Sequence, residues 1–234
     1  MRGFADLDEG RFVERLLHHA GEAGVVLSET QAELCCRHAR LMVEWNRRVN
    51  LTRITDLEGI VVSHFLDSLI PARWLPQEGF AVDVGTGPGF PGIPLKIIRP
   101  GLDMLLLEAS ARKVSFLKAV LAQLSLNNMW ALQDRWESFA DSSHPFAGRK
   151  YALATMRAVR MEPEIMTIFA SRILRPGGVF SWWAGADVVP GGIVENSVLE
   201  GTGLSFEGSF RYDLPAMAKS RQFLLWKKEE GRGR

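Results

Sequence analysis

The sequence predicts an α/β fold, a mostly parallel sheet buried on both faces behind a helical N-terminal segment. Three observations carry this. From residue 80 onward, short unbroken apolar runs alternate with stretches of helical period, the pattern of strands covered by helices on both sides. The first of those runs ends in a glycine-rich turn. Before residue 79 no strand-like alternation occurs.

Taken in order, a helix is expected over 12–23, with Phe12, Leu16 and Leu17 inward and Gly24 near its end. Ser28-Glu29-Thr30-Gln31 reads as a capping box, a Ser N-cap with Gln three positions later. The helix it opens carries Leu34, Leu41, Met42, Trp45 and Val49 on one stripe. A third apolar segment runs from Ile60 to Ile70 and stops at Pro71. Strands are expected at 80–84, 104–107, 129–133, 151–155, 179–183, 204–210 and 223–226, with helices at 111–126 and 162–174. The polar stretch 141–150 is a surface loop. The change of pattern divides the chain into a helical extension, 1–75, and an α/β domain, 76–234.

Composition narrows the function classes. The chain has 234 residues, 47% hydrophobic and 24% charged, which supports a real core and excludes disorder for most of its length. Its 28 basic and 27 acidic residues exclude a polybasic binder as a whole-chain description but leave room for local patches. Such patches are visible: Arg37, Arg40, Arg47, Arg48 and Arg53 surround the second helix, and residues 219–234 are basic, with Lys219, Arg221, Lys227, Lys228, Arg232 and Arg234 against Glu229 and Glu230. Cys35 and Cys36 are adjacent and read as reduced, partly buried side chains of a cytoplasmic protein. Acids follow the first methionine at once, and no apolar stretch has the length of a membrane span, so neither a signal peptide nor a membrane is expected. His18, His19 and His38 lie on helices without metal-ligand spacing, and no metal is expected. The oligomeric state is not written in the sequence; a monomer is the default.

The chemistry concentrates at Asp83-Val84-Gly85-Thr86-Gly87-Pro88-Gly89-Phe90-Pro91-Gly92. This turn leaves a strand and enters a helix, where glycines let backbone approach a ligand closely. Glu108, at the end of the next strand, is placed to accept both hydroxyls of a ribose. Two cofactors compete for these residues. Gly87-Pro88-Gly89-Phe90-Pro91-Gly92 matches the dinucleotide fingerprint. Against it, Pro91 and Pro94 disturb the helical turn that would face a pyrophosphate, and Asp83 would repel one. An anion there suits the ammonium of S-adenosylmethionine, which carries no phosphate.

Further motifs make the chain recognisable. The run from Asp83 through Leu95 resembles the cofactor loop of the 16S ribosomal RNA guanine-N7 methyltransferases, the GidB or RsmG family. Trp45-Asn46 with Asn50-Leu51-Thr52, then His64-Phe65-Leu66-Asp67-Ser68, agree upstream; Arg112-Lys113-Val114-Ser115-Phe116-Leu117, Arg135-Trp136-Glu137-Ser138-Phe139, Arg157-Ala158-Val159 and Arg221 agree downstream. The resemblance implies a Rossmann-like class I S-adenosylmethionine-dependent methyltransferase, seven-stranded with the last strand antiparallel. It implies S-adenosylmethionine as donor and a guanine N7 in the decoding region of 16S rRNA, in the small ribosomal subunit, as acceptor. Cofactor contacts would fall on Asp83, Gly85, Gly87, Gly89, Phe90, Glu108, Arg157, and Trp136 and Glu137 beside the adenine. Arg157, Arg135, Arg112 and Lys113 are the candidate cations for the target base, and His64 with Asp67 would stand near the mouth of the site. Trp182 and Trp183 either hold a flipped base or face opposite sides of a strand. Ala184 stands where the family usually has lysine, which leaves open another methyl acceptor or an RNA-binding homologue with impaired turnover.

Overall fold

The structure is a computed structural model describing residues 7–159, 162–185, 196–217 and 219–230. Helix α1 (Glu9–Glu22) starts at Asp8, whose carboxylate accepts from the Arg11 amide at 3.0 Å. Helix α2 (Glu29–Asn46) carries the expected capping box in both directions: the Gln31 amide donates to Ser28 Oγ at 3.2 Å and the Ser28 amide to Gln31 Oε1 at 3.0 Å. The third apolar segment is one continuous helical path of changing pitch. It runs through α3 (Leu57–Ile60), a π-helical turn (Val61–Leu66), α4 (Asp67–Leu69) and a 3-10 turn (Ile70–Trp74). Residues 59–72 are all buried, so this path has no polar stripe to reveal its pitch in the sequence.

The sheet follows: β1 (Gly79–Val84), α5 (Gly92–Ile98), β2 (Leu102–Glu108), α6 (Ala111–Leu124), β3 (Met129–Gln133), α7 (Trp136–Phe139), β4 (Tyr151–Arg157), α8 (Pro163–Ile173), β5 (Leu174–Ala184), α9 (Asn196–Thr202), β6 (Leu204–Leu214) and β7 (Lys219–Lys228). The strand order is β3-β2-β1-β4-β5-β7-β6. The first five strands are parallel; β7 runs antiparallel to both β5 and β6. Three strands outrun their expected spans by four residues or more. β5 starts at Leu174 rather than 179, through Pro176 and two glycines, and β6 and β7 extend as a long antiparallel ribbon whose outer residues are polar. Strand pairing, not apolar content, sets those ends. Of the basic tail, Arg232 and Arg234 lie outside the described residues.

Strand order reverses between β1 and β4, which opens a crevice at the carboxyl ends of those strands. Each face of the sheet carries its own core. On one, Phe12 and Leu16 of α1, Met42 of α2 and Phe65 pack with Ile93, Phe116, Leu153, Trp183 and Phe223. On the other, Val82, Val84, Phe139, Met166, Phe169, Phe180 and Trp226 pack under α8. The helical extension and the sheet therefore meet in a shared core, with the ring centroids of Phe12 and Phe65 5.3 Å apart and those of Phe65 and Phe90 5.0 Å apart.

A shared core predicts one unfolding transition. Phe12→Ala should remove about 3–5 kcal/mol. The loss should appear alike in far-ultraviolet circular dichroism and in tryptophan fluorescence, which reports Trp45 and Trp74 of the helical extension together with the five tryptophans that follow them. Two separate transitions would show that the helices melt independently.

Candidate active site

The glycine-rich turn leaves β1 at the crevice and is braced from behind by Asp83. That side chain is fully buried. Its Oδ2 accepts from Thr86 Oγ1 at 2.6 Å and from the Gly92 amide at 2.8 Å, and its Oδ1 accepts from Thr155 Oγ1 at 2.8 Å. Burial pushes the carboxyl up to about 6, and the hydrogen bonds from Thr86, Thr155 and Gly92 oppose that rise. The expected direct contact of Asp83 with a cofactor ammonium does not fit this placement, because a carboxylate with no exposed surface and three internal donors serves the loop itself. Gly92 must be glycine for the same reason: a Cβ there would lie 2.4 Å from Leu106 Cδ2 and 2.8 Å from Asp83 Oδ2.

The front of the turn is different. Gly85, Gly87 and Gly89 all have positive φ, 65°, 58° and 97°. A Cβ on Gly87 would meet nothing nearer than the Gly85 carbonyl at 4.0 Å, so this position faces open space at the crevice. The Gly87 amide donates to Glu108 Oε2 at 3.0 Å, and the Ser110 amide to Glu108 Oε1 at 3.0 Å. Glu108 thus stands at the end of β2 beside the turn, each oxygen holding one donor and keeping lone-pair capacity for another. A nucleoside with two vicinal hydroxyls and no phosphate fits this donor and acceptor set.

Phe90 is gripped by the helical extension. His38 of α2 stacks on one side with ring centroids 4.8 Å apart, and His64 of the π-helical turn stacks on the other, also at 4.8 Å. His38 Nε2 donates to the Pro88 carbonyl at 2.7 Å. Asn46 fixes the far side: its Oδ1 accepts from the Leu51 and Thr52 amides at 2.7 and 3.0 Å, and Thr52 Oγ1 meets His64 Nε2 at 2.8 Å. Both histidines are held neutral. Burial carries His38 down to about 4; burial and then the Arg157 charge carry His64 down to about 3.

Arg157, at the end of β4, ties that grip to the sheet. It donates to the Ser63 carbonyl at 2.7 Å, the His64 carbonyl at 3.1 Å and Ser68 Oγ at 2.8 Å, and pairs with Asp67 at 3.5 Å. Asp67 also takes the Tyr212 hydroxyl at 2.6 Å and lies 3.5 Å from Arg221 Nε. His64 and Asp67 therefore meet through Arg157 rather than as a direct pair. Arg157, a candidate cation for the target base, and His64 and Asp67, expected near the mouth of the site, are all largely or wholly buried and brace the turn in this structure. Trp183 is a brace too, its indole donating to the Asp67 carbonyl at 2.8 Å, while Trp182 packs on the opposite face of the sheet.

The remaining expected residues line the same carboxyl edge. Arg112 and Lys113 open α6, and Arg135 precedes α7, exposed and 3.7 Å from Glu137. Trp136 is half-buried, its ring edge against Phe169 at 5.9 Å. Ala184 is buried and pairs across the sheet with Gln222. Sequence reasoning missed Thr86, Thr155, His38 and Tyr212. Thr86, three residues after Asp83, was legible; Thr155 becomes a partner only through the β1–β4 register, which sets it opposite Asp83.

Away from this edge, His18, His19 and Glu22 offer three ligand atoms within 4.8 Å. His19 is engaged by Glu22 and Glu58 at 2.8 and 2.6 Å, and Arg15 Nη2 lies 2.9 Å from its Nε2, a cation where an ion would sit. Cys35 and Cys36 are free thiols, as expected, and both are buried.

The buried histidines set a pH dependence. Below about pH 6.5 the unfolded chain takes up protons at 38 and 64 that the folded chain refuses. Stability from these groups is complete above pH 6.5 and is lost as pH falls, by about 1.4 kcal/mol per unit for each. Asp83 works oppositely, since its raised folded value adds stability as pH falls through about 6. His38→Gln should flatten the fall in stability between pH 6.5 and 5 by about one proton relative to the parent. Equal slopes for variant and parent would contradict a neutral buried His38.

Comparison with known proteins agrees with this geometry. Residues 31–188 match the family model described as GidB, rRNA small subunit methyltransferase G. The ribosomal RNA small subunit methyltransferase G 1 of Syntrophobacter fumaroxidans is 47% identical over 206 residues, 88% of this chain and 92% of that protein. The Desulfitobacterium hafniense ribosomal RNA small subunit methyltransferase G is 33% identical over 204 residues, 87% and 84%. Among solved structures, the fold resembles Methanococcus jannaschii fibrillarin, a pre-rRNA processing protein, with TM-score 0.53 and 15% identity over 70% of this chain and 74% of that one. A Pyrococcus furiosus methyltransferase gives TM-score 0.52 at 10% identity, covering 82% and 96%. On the extent of the family match and the identity to these relatives, the chain belongs to the rRNA small subunit methyltransferase G family.

Proposed function

We infer that this chain transfers the methyl group of S-adenosylmethionine to N7 of a guanine in 16S rRNA of the small ribosomal subunit. The observation that carries this reading is the cradle at the carboxyl edge: an open-faced Gly87 beside a Glu108 that keeps acceptor capacity, on a turn braced by a buried carboxylate. When bound, S-adenosylmethionine supplies an electrophilic methyl group. Gly85, Gly87 and Gly89 would let it lie close to backbone, Glu108 would accept its ribose hydroxyls, and Trp136 and Glu137 would flank the adenine. Phe90, stacked between two histidines, holds the turn in shape.

Guanine N7 carries an in-plane lone pair, and its methylation releases no proton. The site needs no general base, and the two imidazoles packed on the turn, His38 and His64, are buried and neutral. The chain's work is alignment, a matter of orientation and fixed dipoles. Arg112, Lys113 and Arg135, at the carboxyl edge of the sheet, are the candidate cations for the target guanine, one of them donating to O6 so that N7 faces the methyl group. Arg157 and Asp67 position the turn and the helical path behind it.

The test is methyl transfer from labelled S-adenosylmethionine to small ribosomal subunits and to free 16S rRNA, with the modified nucleotide mapped. One 7-methylguanosine in the decoding region is expected, and Gly87→Val, which puts a β-branched side chain at φ 58° into the open face, should abolish both labelling and cofactor binding. Cofactor binding without labelling of either RNA would sink the proposed reaction and favour a non-catalytic RNA-binding role. Unchanged cofactor affinity in Gly87→Val would remove the turn as the cofactor site.

A further inference from the structure

The arginines around α2 do not form one patch. Arg40 pairs with Glu9 at 3.3 Å, and Arg37 lies in a groove lined by Glu9, Glu14, Glu29 and Glu33. That end of the helical extension is acidic. At the other end of α2 the sequence from Trp45 to Arg53 contains no acid, and α6, which carries Arg112, Lys113 and Lys118, contains none either. The two stretches touch: Trp45 sets its ring against Phe116 of α6 at 5.8 Å. Among the described residues no carboxylate pairs with Arg48, Arg53, Arg112 or Lys113; the three arginines are exposed and the lysine is partly so. At the end of α2 an open pocket of about 260 Å³ is lined by Glu44, Trp45, Arg47, Arg48 and Val49.

This band reaches the cofactor turn through packed side chains. Phe116 stacks on His38 at 6.2 Å, and His38 holds Pro88 and Phe90. Arg53 follows Thr52, whose hydroxyl meets His64. Arg112 and Lys113 begin the helix that leaves Glu108.

We propose that the C-terminal end of α2 and the start of α6 form the binding surface for the single-stranded RNA flanking the target guanine. Arg48, Arg53, Arg112 and Lys113 meet successive phosphates, and one unstacked base sits in the pocket over Trp45 and Val49. Glu44 at the pocket edge accepts from a base amino group, as carboxylates do from cytosine N4. Aromatic faces and guanidinium groups are the common holders of unstacked bases. The acidic end of α1 and α2 repels the same RNA, so the molecule can approach in only one orientation. This inference rests on the RNA reading of the site and names where the RNA lies.

The experiment measures rRNA affinity and KM against salt concentration for the parent chain, for Arg48→Glu/Arg53→Glu and for Arg37→Glu. Each phosphate contact with single-stranded RNA contributes about 0.7 to the slope of log affinity on log salt, so the double variant should lose about 1.4. Its KM for RNA should rise at least tenfold with S-adenosylmethionine affinity unchanged, and Arg37→Glu should behave as the parent. An unchanged slope in the double variant, or an equal loss in Arg37→Glu, overturns the surface while parental methylation of rRNA still stands. A parent chain that methylates no RNA defeats the underlying reading instead, and circular dichroism separates either result from misfolding.

Discussion

The buried carboxylate of Asp83 is the constraint on which the site depends. Burying it is unfavourable, which is why its proton affinity is raised. Three donors from three places offset that: a hydroxyl in the turn, an amide at the start of α5 and a hydroxyl on the neighbouring strand β4. Because the donors come from different elements, satisfying the charge fixes their mutual arrangement. The turn cannot relax without stranding a buried charge. Its front is then free of structural duty, with Gly87 open and its amide on Glu108. Of the two acids near the ends of β1 and β2, Asp83 is internal to the turn and Glu108 keeps acceptor capacity beside it.

The helical extension completes this arrangement. Phe90 leaves the turn and enters a slot made by His38 and His64, each neutral and each anchored by a hydrogen bond, to the Pro88 carbonyl and to Thr52. Arg157 reads the carbonyls of the π-helical turn directly, which is the use of that widened turn: its carbonyls are turned toward a guanidinium on the sheet. Tyr212 and Arg221 extend the tie to the antiparallel ribbon through Asp67. Helices, parallel strands and ribbon thus converge on one edge, and the exposed cations of α6 and of the α2 end sit around it.

Much of this was legible in the sequence, and the parts that were not share a cause. The capping box at Ser28, the strand before Asp83, the glycine turn and Glu108 all follow from local pattern, because local backbone demands choose the residue. The partnership of Asp83 with Thr155 depends on strand register, and that of Arg157 with Ser63 on a contact 94 residues away, so neither leaves a local mark. Charged residues in a family-like motif read most simply as ligand contacts; burial turned His64, Asp67 and Arg157 into braces. The ends of β5, β6 and β7 were missed because strand pairing holds polar residues as readily as apolar ones.

The buried Asp83 carboxylate holds the glycine-rich turn in its observed shape. That hold is tested most directly by titrating S-adenosylmethionine into Asp83→Asn by calorimetry. Asparagine keeps the volume but removes the charge and turns one acceptor oxygen into a donor, so the charge-assisted hydrogen bonds become neutral ones roughly half as strong. Affinity should fall at least about tenfold in a chain that still folds, roughly 1.4 kcal/mol of binding free energy. A folded Asp83→Asn that binds the cofactor as tightly as the parent would contradict the account.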